Sequence, residues 1–203
     1  MIRIRIDVDY PYPSRIRSFV YTTLNIWAGS DYLKNSKMAA KMINRAGRDV
    51  KAYWFFTTKT IPDEELLSLL DSQKHEVALH VVNNPSKELK LLEEKTSRKI
   101  NYYTIHGTAR ILARVMWKRW RSRAPKIPPD FPLQSFHQFP TIGIDSVCYL
   151  HPPDEALVLI EERIRTGDVV YFHPIWLFQR GTMNHRGPCG NVLERILENE
   201  GGD

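Results

Sequence analysis

Strand signals alternate with helix signals along almost the whole chain, and that alternation limits the fold more than any other feature. "IRIRIDV", "VKAYWFFTT", "HEVALHV", "INYYTIH" and "DVVYFHP" are rich in β-branched and aromatic residues. Between them lie "DYLKNSKMAAKMINRAG", "IPDEELLSLLDSQ", "PSKELKLLEEKTSRK" and "DEALVLIEERIRTG", each with helical spacing. Repeated β–α units imply a parallel sheet, either open and doubly wound or rolled into a barrel. The first strand chooses between them. Ile2, Ile4, Ile6 and Val8 alternate with Arg3, Arg5, Asp7 and Asp9, so one face is apolar and the other fully charged. A charged face suits the inside of a barrel better than a sheet covered by helices on both sides. No strand is followed by the glycine-rich turn of a nucleotide-binding open sheet. The expectation is a single α/β domain over residues 1–203, a distorted or incomplete (β/α) barrel of about 6–7 parallel strands.

Some boundaries follow from capping residues. Ser14 can cap a helix through "RIRSFVYTTLNIW", and Gly47 suits the position just beyond the second helix. The Pro-rich stretch 124–152 reads as a long loop with short strands around "QSFHQF" and "IDSVCYL". "NVLERILENE" closes the chain as a helix, with 196–203 expected to fray.

A chain of 203 residues, 42% apolar and 26% charged, can bury a substantial core. No apolar run approaches the ~18 residues of a membrane span, and the first residues enter a charged strand with no secretory apolar segment. The expected location is the cytoplasm. Cys148 and Cys189 lack metal spacing with each other; two thiols suit a reducing compartment, with a single disulfide left open.

His80, His106 and His173 end three of the strands, and Asp7 and Asp9 end the first. In a parallel β/α barrel all strand C-termini open on one face, so these residues should converge there. Carboxylates and imidazoles together suit Zn²⁺ or a similar divalent ion, and a dication would stabilise two neighbouring anions. Asp7 has an alternative partner in Arg5, on the same face. His75 begins its strand and belongs to the opposite end. His151 reads as a turn residue, and His137 and His185 lie in loops. Trp176, after "HPI", could stack on a substrate ring such as a sugar, or pack in the core.

Arg5-Ile6-Asp7-Val8-Asp9, "KHEVALH", "GIDS" and "YFHP" occur in that order over residues 5–174. In these motifs the chain resembles the polysaccharide deacetylase (NodB-homology) family, in its branch whose first motif reads R-H-D-V-D. The resemblance implies a distorted (β/α) barrel and a metal-dependent hydrolase of linear, non-peptide amide bonds. The expected reaction is N-deacetylation of an amino sugar or related small molecule. It further implies Asp7 as general base, His173 as general acid, Asp9 and His80 as metal ligands, and Asp145 of "GIDS" at the substrate site. The family's second metal histidine, four residues after the first, is replaced by Asn84. His106 can supply the missing nitrogen, with Asn84 the alternative third ligand and a metal-free or inactive site the other outcome. Arg110, four residues beyond His106, could bind a substrate anion at the rim or be an exposed helix arginine.

"ARILARVMWKRWRSR" (109–123) concentrates six basic residues around Trp117 and Trp120, in a chain of net charge +6. That helix offers a different function, a binding module for nucleic acid or an anionic membrane surface on a catalytically degenerate barrel. A solvated basic face is its simpler reading.

Overall fold

The structure, a computed structural model, describes residues 1–9, 31–71, 73–106, 125–178 and 189–198. The helix expected after Ser14, the basic helix 109–123 with Arg110, His185 and the last five residues of the tail fall outside them.

Among the described residues seven strands form one sheet: β1 (Ile2–Val8), β2 (Val50–Phe56), β3 (His75–Val81), β4 (Tyr102–Ile105), β5 (Gln134–Ser135), β6 (Thr141–Gly143) and β7 (Val169–Phe172). Their order is β5-β4-β3-β2-β1-β7-β6, every pairing is parallel, and the sheet curls into a half-barrel. The helices are α1 (Asp31–Asn44), α2 (Glu64–Leu69), α3 (Pro85–Thr96), α4 (Ile144–Leu150), α5 (Pro153–Arg165), α6 (Pro174–Phe178) and α7 (Gly190–Leu197). None of the described helices is long and apolar enough to cross a membrane.

The alternation in β1 decides what each face does. Ile2, Ile4, Ile6 and Val8 join Trp54, Phe56, Leu79 and Phe172 in the main core, together with Ile43, Leu66, Leu92, Ile160 and Leu193 from the helices. Removing that much apolar surface from water is the main stabilising term. The opposite face carries Arg5 and Asp7, in register with Tyr53 and Phe55 of β2. There a second cluster of Phe55, Ala78, Phe136 and Val169 fills the concavity. Phe136 sits on a 3-10 turn, Phe136–Gln138, with its ring 4.8 Å from Tyr53 and 5.1 Å from Phe55. Arg3 lies over Phe139 and Arg5 over Phe55, so aromatic faces cover the guanidinium groups inside the curl.

Three sequence expectations need correction. "IDSVCYL" is helix α4, not a strand; Ile144, Val147 and Cys148 pack at helical spacing against the main core, and the strand is the preceding "TIG". Its β-branched and aromatic content obscured that period. Gly47 does not cap α1, which stops at Asn44. The chain does not fray at 196, because Ile196 and Leu197 are buried on α7.

Candidate metal centre

Every strand that carries a site residue reaches the same rim. Asp9 follows β1 directly, His80 is the penultimate residue of β3, His106 follows β4 and His173 follows β7. Parallel pairing puts these C-terminal ends together.

Asp9 is the hub. Its Oδ2 lies 3.3 Å from His80 Nε2 and 3.1 Å from His106 Nε2, while His173 Nε2 lies 3.3 Å from Oδ1. Asp9 and His80 are buried, and Asp9 Oδ1 makes no hydrogen bond despite that burial. The loop after β2 fixes the chain here, with Thr60 Oγ1 donating to the Val8 carbonyl. Burial alone would raise Asp9's pKa, but the surrounding imidazoles, His173 foremost, hold it well below the usual carboxylate range.

One ligand atom each from Asp9, His80 and His106 lies within 4.8 Å of the others, a group that could hold a metal ion. The donors suit such an ion. Ligands about 2.0–2.1 Å from a tetrahedral zinc stand roughly 3.3 Å apart, close to the spacings around Asp9 Oδ2. His80 Nδ1 lies 2.6 Å from Thr104 Oγ1. With that hydroxyl accepting from Nδ1–H, Nε2 presents its lone pair to the centre. Burial lowers the pKa of His80, which favours the neutral, ligating ring.

Asp7 lies inside the curl and takes no part in that trio. Arg5 Nε donates to its Oδ1 (2.8 Å) and Arg5 Nη2 to its Oδ2 (2.6 Å). Burial raises Asp7's pKa, but Arg5, with smaller help from His80 and His173, brings it net below the ordinary value. Asp7 is therefore an ionised carboxylate.

His173 is held in the opposite charge state. Asp145 Oδ2 accepts both from the His173 backbone N–H (3.0 Å) and at Nδ1 (2.6 Å). Burial would depress the imidazole pKa, but Asp9 and Asp145 outweigh it and raise it to about 9. The ring is an imidazolium at neutral pH. Asp145 is itself fully buried, and burial raises its pKa. It orients His173 and has no surface for substrate, contrary to the expected substrate-site role. Of the two readings of Trp176 the structure takes the core one: its fully buried indole on α6 packs beside Ile175, which leaves no face for a sugar ring.

Asn84 caps α3, its Oδ1 accepting from Lys87 N–H at 3.0 Å. His106 stands in the metal-ligand group, with Asp9 and His80. Spacing alone missed two supports of this region. Thr104 orients His80, and buried Glu88 accepts from the N–H groups of Val82, Asn83 and Asn84 just beyond β3. A threonine on a strand and a glutamate in the first turn of a helix are ordinary in sequence; only the fold shows what they touch. His75 takes the place expected of it, at the far end of β3. His137 Nε2 accepts from Ile105 N–H, and His151 pairs with Glu155.

No known family model, curated protein or solved structure matches the chain.

Proposed function

We propose that the protein is a metal-dependent hydrolase of a linear, non-peptide amide bond, an N-deacetylase of an amino sugar or related small molecule akin to polysaccharide deacetylases. One observation carries the reading: at the rim of the Asp9–His80–His106 ligand group stand a carboxylate gripped by Arg5, Asp7, and an imidazole paired with Asp145, His173.

Asp9, His80 and His106 would hold the divalent ion, Zn²⁺ by the borderline character of the donors. When bound, it would polarise the amide carbonyl and lower the pKa of water towards about 7. Asp7 accepts a proton from the attacking water as its oxygen bonds to the carbonyl carbon. Arg5 keeps that carboxylate charged and aimed. The C–N bond then breaks, and His173 gives its Nε2 proton to the leaving nitrogen, which would otherwise depart as an unstable anion. Asp145 accepts from Nδ1–H and orients the ring, so the proton given up is the one on Nε2. The products are a carboxylic acid and a free amine, and water is the only co-reactant.

The test combines elemental analysis of protein purified without chelator with assays for amine release from N-acetylated amino sugars and small amides. Asp7→Asn should lose turnover by about a hundredfold or more while keeping its metal, and His80→Ala should lose both. Full activity in Asp7→Asn, or a protein that takes up no divalent ion, overturns the reading.

A further inference from the structure

β7 runs between β1 and β6, and its Tyr171 stands in register with Arg5 on one side and Gly143 on the other. The phenol ring leans over Gly143. A Cβ on that glycine would stand 2.6 Å from the ring's Cε1 and Cζ and 2.8 Å from its Oη, so the ring would have to move. The backbone does not require glycine there, since φ −94° and ψ 120° suit any residue. Gly143 also starts α4 without the side-chain hydrogen bond that serine or aspartate would supply. What the glycine provides is room for the ring. From that seat the Tyr171 ring centroid lies 5.7 Å from Arg5 Cζ. Phe55, on the strand at the other side of β1, lies 5.6 Å from the same atom. The Tyr171 hydroxyl is 3.4 Å from Ser146 Oγ on α4, which steadies the outer end of the ring.

We propose that Tyr171 is a positioning residue for the Arg5–Asp7 pair: with Phe55 it confines the guanidinium between two aromatic rings, and Gly143 is the space that admits it. Arg5 reaches Asp7 through Nε and Nη2 (2.8 and 2.6 Å), a two-point grip that needs the planar group held in one orientation. Aromatic faces attract the cation and exclude water that would compete for the same hydrogen bonds. Loss of the ring frees the guanidinium to turn, and the aim of the Asp7 carboxylate goes with it. The bearing on catalysis rests on the hydrolase reading, in which Asp7 takes a proton from water; the confinement of Arg5 does not.

The Arg5 Nε–H resonance in ¹H–¹⁵N spectra of the full chain reports the confinement directly. In Tyr171→Leu it should shift, and its exchange with solvent should quicken about tenfold, as loss of a desolvated cation–π contact implies. Tyr171→Phe keeps the ring and should match wild type. Gly143→Ala displaces the ring and should move the Arg5 signal as well. It should also lower the denaturation midpoint far more in wild type than in the Tyr171→Leu background, where no ring stands in the way. An unchanged Arg5 signal in Tyr171→Leu or Gly143→Ala overturns the proposal, as does an equal cost of Gly143→Ala in both backgrounds. A change in Tyr171→Phe as large as that in Tyr171→Leu assigns the effect to the hydroxyl and overturns the role of the ring. With an N-acetylated substrate that the wild type turns over, Tyr171→Leu should lower kcat and leave KM unchanged; a raised KM with kcat kept overturns the positioning role. If no such substrate is turned over, the hydrolase reading fails and the Arg5 signal still decides the confinement.

Discussion

Asp7 stands on β1 and Asp9 just beyond its end, yet different partners stabilise them. Arg5 grips Asp7 with two hydrogen bonds, while imidazoles from three other strands surround Asp9. Arg5→Met should thus leave a buried carboxylate unpaired and destabilise the fold by about 3 kcal/mol. Adding Asp7→Asn should recover part of that loss in denaturant titrations; additive effects would mean that the pair is not coupled. His75 supplies a pH signature independent of the site. Trp54 Nε1 donates to its Nδ1 (3.0 Å) and its Nε2 faces Asn44 Oδ1 (3.0 Å). Burial, then Lys74, Lys51 and Arg98, lower its pKa from 6.5 to about 4. Between those values the unfolded chain binds more protons, so stability falls with falling pH. His75's contribution is complete above about pH 6.5 and gone near pH 4, a change of about 3 kcal/mol. His75→Gln should flatten the stability–pH curve across that window, measured against wild type to remove the carboxylate background.

The elements owe their ends to single residues. Asn84 starts α3, and Ser97 ends it in the left-handed region at φ 52°. Asn84→Ala should lower stability by about 1 kcal/mol through loss of the cap, while metal uptake stays intact. A loss of metal affinity in that variant would return Asn84 to the ligand set. Ser97→Gly should stabilise α3 by roughly 0.5–1 kcal/mol, because glycine adopts positive φ without Cβ strain. β4 has a comparable dependence. Thr104→Val keeps the shape of the strand but removes the hydroxyl beside His80, and metal affinity measured by chelator competition should fall about 10–100-fold.

Across the whole molecule, the ligand group joins β1, β3 and β4, elements remote in sequence, so a bound ion would act as a cross-link present only in the folded state. At about a hundred times its dissociation constant it should add about 2.7 kcal/mol. The thermal midpoint of wild-type protein should drop on chelation, and that of His80→Ala should not respond. The β–α alternation and the two faces of β1 were readable in advance because burial acts on periods of two and of three to four residues, and both periods are local. The rim followed from them, since parallel strands necessarily end together. Local pattern also sufficed to single out Asp7, Asp9, His80, His106 and His173. Contacts between segments were beyond it. Whether Asp7 faces Arg5 or the ligand group, whether Trp176 and Asp145 meet solvent or core, and that Thr104 and Glu88 brace the site all depend on how the sheet curls and where helices land on it. Such choices are made by packing between residues tens of positions apart, and no window of sequence contains them.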